Sequence, residues 1–131
     1  MSYVLIVEND TKFRRKLINS LSLRFPSVAF EEAADGKETL AKIDTFRPAI
    51  VFMDIRLPGE TGLKLTQKIK ELFPAISIVI LTSYDFPEYR DAAYQNGADA
   101  FLVKGRVTMV EIAKLLDSVL TQKSALADIN D

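Results

Sequence analysis

Short, nearly unbroken apolar runs alternate along the chain with longer segments whose apolar residues recur every three or four positions. The runs are Tyr3–Val7, Ala49–Met53, Ile76–Leu81 and Ala100–Val103. They are rich in Val, Ile and Phe, the pattern of strands buried on both faces. Val28–Ala33 also reads as a strand, but Glu31 and Glu32 inside it mark it as an edge. Between the runs, Phe13, Leu17 and Leu21 fall on one helical face, and Leu65, Ile69 and Leu72 on another. Ile112, Leu115, Leu116, Val119 and Leu120 give the clearest stripe. Asp35 with Glu38, and Thr108 with Glu111, have capping-box spacing, and Asn96-Gly97 is a helix stop. Phe86–Gln95 is less apolar and predicts a less firmly anchored helix. The order is strand then helix, five times over. That predicts an α/β domain, doubly wound, with a parallel sheet covered on both faces. Right-handed crossovers leave few topologies for it.

A chain of 131 residues suits one compact domain with a real core. No repeat or low-complexity segment interrupts it. The tail Thr121–Asp131 either extends the last helix or forms a linker stub. Residues 1–122 are expected to form the domain, and 123–131 the tail or stub.

Composition then narrows the chemistry. Lys plus Arg is 17 and Asp plus Glu is 18, so the net charge of −1 leaves no basic footprint for nucleic acid. The absence of cysteine excludes disulfides and thiolate metal sites, and the absence of histidine excludes a catalytic or metal-binding imidazole. Apolar runs of five or six residues are far too short to span a membrane, and the first residues lack a signal-peptide pattern. A cytoplasmic location is expected.

In an open parallel sheet, ligands bind beyond the carboxyl ends of the strands. Glu8, Asn9 and Asp10 follow the first strand, Asp54 the third, Thr82 and Ser83 the fourth, and Lys104 the fifth. Carboxylates can hold a hard cation such as Mg²⁺, and one can attack a phosphoryl group. A hydroxyl and an ammonium can then bind the phosphoryl oxygens.

The segments Val4-Leu-Ile-Val-Glu-Asn-Asp10, Asp54-Ile-Arg-Leu-Pro-Gly-Glu-Thr-Gly62, Ile80-Leu-Thr-Ser83 and Ala100-Phe-Leu-Val-Lys104 resemble the successive signatures of response-regulator receiver domains. They stand in the right order, each after a predicted strand, and the resemblance covers about the first 120 residues. It implies a flavodoxin-like, chemotaxis-regulator-like fold with strand order 2-1-3-4-5. It implies that Asp54 accepts a phosphoryl group from a sensor histidine kinase or phosphotransfer protein. Mg²⁺ would be held by Glu8, Asp54 and the backbone carbonyl of Arg56, with Asn9 or Asp10 as further candidates. Thr82 would turn inward to the phosphoryl oxygens, and Lys104 would pair with Asp54 and then with the phosphate. Phe101 stands at the aromatic switch position. Such a domain is a switch and not an enzyme beyond its own self-catalysed phosphotransfer and dephosphorylation. The fourth helix, fifth strand and fifth helix would form the surface that changes, and a homodimer could form there. The segment Tyr84-Asp-Phe-Pro-Glu88 and Lys104-Gly105 resemble receivers that often precede DNA-binding output domains. Such an output domain would belong to a longer parent chain. The domain itself is expected to touch neither nucleic acid nor membrane.

Departures from the family pattern matter. The usual acidic pair is Glu8-Asn9 here, so weakened Mg²⁺ binding is expected. Asp10 could compensate, though capping the first helix suits it better. Gly105 stands where many receivers have proline, so a cis peptide is not expected there. Phe101 lacks the hydroxyl of a tyrosine, so any switching rests on packing. Arg56 and Tyr84 flank the site and are expected to modulate phosphate lifetime. The Glu8-Asn9 pair also motivates an alternative, a phosphorylation-independent interaction module. An aspartyl-phosphate hydrolase of the dehalogenase type is disfavoured, because Asp54-Ile55-Arg56 lacks the second acid of Asp-x-Asp. No phosphate-cradling loop follows the first strand to suit a flavodoxin-like cofactor carrier.

Overall fold

The computed structural model describes residues 2–130, with side chains through Leu126. Met1 of the expected domain and Asp131 of the expected tail lie outside the described residues. Five strands alternate with five helices: β1 (Tyr3–Val7), α1 (Thr11–Arg24), β2 (Ala29–Ala33), α2 (Gly36–Phe46), β3 (Ile50–Met53), α3 (Gly62–Leu72), β4 (Ser77–Thr82), α4 (Pro87–Gln95), β5 (Ala100–Val103) and α5 (Met109–Asn130). The strands form one parallel sheet in the order β2-β1-β3-β4-β5. This is the doubly wound, flavodoxin-like arrangement expected of the resemblance.

Strand side chains alternate between faces, so each central strand feeds two cores. Val4, Ile6, Ile50, Phe52, Val79 and Leu81 pack with Leu17, Leu21, Ile112 and Leu116 of α1 and α5. Leu5, Val7, Val51, Met53, Ile78 and Ile80 pack with Ile43, Leu65, Ile69 and Ala93 of α2, α3 and α4. Both faces of β1, β3 and β4 are therefore dry, which is why their sequences show no polar alternation. β2 is half-buried over most of its length, as Glu31 and Glu32 foretold. β5 corrects the sequence reading. Its run looks fully buried, but the strand is the other edge of the sheet and only Phe101 in it is buried.

The helix ends follow local chemistry. Asp10 accepts from the Phe13 N–H at 3.2 Å, Asp35 from Glu38 N–H at 2.8 Å, and Thr108 Oγ1 from Glu111 N–H at 3.1 Å. Glu38 reaches back to the Ala34 N–H at 3.0 Å, one residue before the cap. α4 starts at Pro87 without a side-chain cap and buries only Ala93. It is the weakly anchored helix the sequence expects. α5 continues through the tail to Asn130 without a break.

One glycine governs how close α3 comes to the strand ends. A Cβ on Gly62 would lie 1.9 Å from the Asp54 carbonyl oxygen. The Gly62 N–H meanwhile donates to the Ile55 carbonyl at 2.8 Å. Gly62→Ala must therefore push α3 off the end of β3. The expected cost is about 2–3 kcal/mol, read as a lower urea midpoint. An unchanged midpoint would mean that the helix start yields freely.

Candidate functional site

Register places the acidic residues side by side. Val7 pairs with Met53 and Thr82 with Val103. The next residues, Glu8 and Asp54, thus leave neighbouring strands together, and Lys104 follows beside Thr82. Hydrogen bonds past the strand ends keep this alignment: Asp54 N–H donates to Val7 O at 3.0 Å, and Lys104 N–H to Thr82 O at 2.8 Å.

Glu8 and Asp54 are both buried, at 4% and 8% exposure. Lys104 reaches between them. Its ammonium donates to Glu8 Oε1 and lies 3.6 Å from Asp54 Oδ2. The sequence reading paired Lys104 with Asp54 first, and the nearer partner is Glu8. The Ile55 N–H donates to Asp54 Oδ1 at 2.8 Å, and the other oxygen, Oδ2, is the one that faces Lys104. The ammonium also sits 4.2 Å from the Phe13 ring centroid, an aromatic contact from α1.

Burial above all pushes the Asp54 carboxyl up from 3.8 to about 6. The Glu8 charge and its hydrogen bond push the same way, and Lys104 and the Ile55 N–H only partly offset them. Two buried carboxylates thus share one ammonium. That donor set suits a divalent cation, which would supply the missing positive charge. Among the described residues, no group of three or more His, Cys, Asp or Glu is placed to hold a metal. Asp10 is exposed and its Oδ1 caps α1 by accepting from the Phe13 N–H. Asn9 itself is exposed. The candidate metal ligands are Glu8, Asp54 and the Arg56 carbonyl, with Asn9 or Asp10 as further candidates.

Thr82 is fully buried, and its hydroxyl accepts from the Tyr84 N–H at 3.2 Å. Arg56 stacks over the Tyr84 ring at 4.5 Å, joining the loop after β3 to the loop after β4. Phe101 does not reach the acidic group. It is buried on the α4 side, with the Arg90 guanidinium 4.8 Å from its ring centroid. Backbone at Gly105 has φ of +87°, and no cis peptide occurs among the described residues.

Sequence reasoning missed Arg14, which is buried and donates from Nη1 to the Glu8 carbonyl at 2.5 Å. The signal was there: Arg14 falls among Leu17 and Leu21 on the inward face of α1, where a charge is out of place without a partner.

The raised Asp54 carboxyl makes stability depend on pH. The folded state holds this proton more tightly than the unfolded chain does. The contribution is greatest below about pH 4 and is lost as pH rises through about 6. Asp54→Asn removes the penalty, so the variant is expected to be about 2 kcal/mol more stable at pH 7 and to flatten this part of the profile. Denaturant midpoints from pH 4 to 8 check it. A variant less stable than the parent at pH 7 would refute the burial account.

Comparison with known proteins agrees with the geometry. A model of the response regulator receiver domain matches residues 4–117. The oxygen regulatory protein NreC of Staphylococcus carnosus is 34% identical over 102 residues, covering 77% of this chain and 47% of that protein. NreC of Staphylococcus haemolyticus is 44% identical over 73 residues, covering 55% of this chain and 34% of that protein. The chain thus spans less than half the length of these relatives. Among solved structures, a CheY-like receiver domain protein of Methanospirillum hungatei JF-1 superposes with TM-score 0.83 at 28% identity, covering 95% of this chain and 98% of that one. The receiver domain of the putative response regulator NarL of Mycobacterium tuberculosis gives TM-score 0.79 at 28% identity, covering 90% and 95%. With its strand order and the alignment of its strand ends, the chain belongs to the response regulator receiver domain family.

Proposed function

We propose that this chain is a phosphorylation switch in which Asp54 accepts a phosphoryl group from a sensor histidine kinase or phosphotransfer protein. Receiver domains are signalling domains that work with such kinases and bind Mg²⁺ at the phosphorylation site. The observation that carries the reading is the buried Asp54 carboxylate, flanked by Glu8 and 3.6 Å from the Lys104 ammonium. Above pH 6 Asp54 is mostly ionised and can attack. Its oxygen forms a bond to phosphorus, the donor's N–P bond breaks, and that electron pair returns to the imidazole nitrogen. Such transfer needs positioning and charge neutralisation more than covalent help. Glu8, Asp54 and the Arg56 carbonyl would hold Mg²⁺, which neutralises charge on the phosphoryl oxygens when bound. Lys104 can swing from Glu8 to the phosphate, and its closeness to both carboxylates makes that a short movement. With the uncharged Asn9 at the second position of the acidic pair, Mg²⁺ is held weakly.

Thr82 Oγ1 accepts from the Tyr84 N–H, which leaves its O–H free to donate to an oxygen of the attached phosphoryl group. Drawing Thr82 toward the phosphate pulls on the loop before α4, the helix with the least buried surface. Asp85 in that loop pairs with Arg106 after β5, and lies 3.9 Å from Arg90 of α4. Arg90 in turn covers Phe101. The face of α4, β5 and α5 is therefore the output surface, read by dimerisation or docking, and a population shift between two arrangements suffices. Residues 1–122 act as the receiver unit and 123–131 as its tail. The relatives extend well beyond the matched segment, which leaves room for an output domain in a longer parent chain; the resemblance of Tyr84–Glu88 and Lys104-Gly105 suggests a DNA-binding one.

Asn9 favours a second reading, a module that docks without phosphate. The discriminating experiment incubates the protein with acetyl phosphate, with and without Mg²⁺, and reads intact mass. One added phosphoryl group that requires both Mg²⁺ and Asp54 is expected, with Asp54→Asn inert. A folded protein that stays unmodified at high Mg²⁺ would transfer the weight to the second reading. Calorimetric titration of Asn9→Asp should show Mg²⁺ bound about tenfold more tightly, one added charge on the metal being worth roughly 1.4 kcal/mol.

The Arg56–Tyr84 stack lies between the two loops that border Asp54, and it limits the approach of water. Arg56→Ala and Tyr84→Ala are each expected to speed loss of the phosphoryl group severalfold. Lifetimes equal to the parent's in both variants would remove these residues from the account.

A further inference from the structure

Glu8 bears more of the site than a metal ligand in a charged pair would, because its neighbour Asn9 has no charge. How Glu8 is held therefore matters. Each of its polar groups has an assigned partner. Its N–H donates to Ala33 O of β2 at 3.0 Å. Its carboxylate meets Lys104 through Oε1 and accepts the Asp10 N–H at 3.1 Å through Oε2. Its carbonyl receives Arg14 Nη1 at 2.5 Å. Arg14 stands one turn into α1, and its side chain is 11% exposed. Its Nε donates to Glu32 Oε1 on β2 at 2.7 Å. Glu32 is also approached at 3.1 Å by Arg15, whose side chain is mostly in solvent.

We infer that Arg14 is a positioning residue for the acidic site: its buried guanidinium fixes the Glu8 main chain, and through it the carboxylate, while Glu32 neutralises the charge. The proposal rests on the phosphorylation-site reading for its consequence, but not for its geometry. Three features carry it. A planar fork is needed to reach a carbonyl and a carboxylate at once, which arginine supplies and lysine does not. A buried cation so close to a cation site would oppose a metal unless paired, and Glu32 pairs it. And Arg14 ties three elements together, α1, the end of β1 and the edge strand β2, at the point where the chain leaves the sheet.

The sign of the effect separates positioning from charge. Removing a cation beside the site would, by charge alone, strengthen Mg²⁺ binding. Removing the residue that holds Glu8 weakens it, as loss of an outer-shell partner does, by about tenfold. Arg14→Met keeps the packing volume and loses the donors. Its Mg²⁺ affinity, measured by calorimetry well below its unfolding midpoint, should fall about tenfold, and Arg14→Lys should recover part of the loss. A second readout needs no metal. Amide hydrogen exchange at Glu8 should accelerate at least severalfold more than at Ile6, two residues back in the same strand. A purely structural arginine would speed both amides alike, so equal acceleration overturns the proposal. So does a folded variant with unchanged or tighter Mg²⁺ binding. If Arg14→Met does not fold, Arg14→Lys is judged on the same two readouts, with a smaller loss expected. If the parent protein takes up no Mg²⁺, the metal-site reading of the function fails, and the exchange pattern alone decides the role of Arg14.

Discussion

Two carboxylates and one ammonium, all largely withdrawn from water, meet where three parallel strands end. The imbalance cannot be relieved by solvent, since Glu8 and Asp54 are both more than nine-tenths buried. It is held in place because the backbone around it is fully committed: Asp54 N–H to Val7, Glu8 N–H to Ala33, Lys104 N–H to Thr82. The core of the molecule is ordinary close packing, and it stabilises the fold enough to tolerate a local excess of negative charge. Functional sites commonly sit where local stability has been given up in this way.

The sheet makes this arrangement cheap to build. Parallel strands in register all end on one rim, so residues one step past each strand become neighbours whatever their distance in sequence. Lys104 and Glu8 are 96 positions apart and share a hydrogen bond. The same alternation that sends Phe52 to one core and Met53 to the other fixes the placement of the residue after them, Asp54. A change that slipped β3 by one residue would exchange both cores and lose the site together.

Much of this was legible in the residues. Buried strands lack polar alternation, and the order of Glu8, Asp54, Thr82 and Lys104 after successive apolar runs points to one rim. Other features were not legible. The run Ala100–Val103 reads the same whether its strand is central or at an edge, because four apolar residues carry no record of how many neighbours the strand has. That Lys104 lies nearer Glu8 than Asp54 is a detail of side-chain geometry that residue order does not carry. Arg14 was visible as a charge on an apolar stripe, yet its partners lie on β2 and at the end of β1, and spacing within one helix cannot name them.

The continuous α5 has a mechanical meaning. Among the described side chains of α5, Ile112 and Leu116 are the buried ones, and Lys123 still reaches the Ala75 carbonyl; the next three residues are exposed. The turn that follows Lys123 therefore overhangs the body of the domain. In a helix each residue advances about 1.5 Å and turns through about 100°. Any segment joined to this overhang in helical continuity inherits both its heading and its rotational phase. A single inserted or deleted residue there would swing that segment through more than a quarter turn while leaving the sheet and its acidic rim untouched.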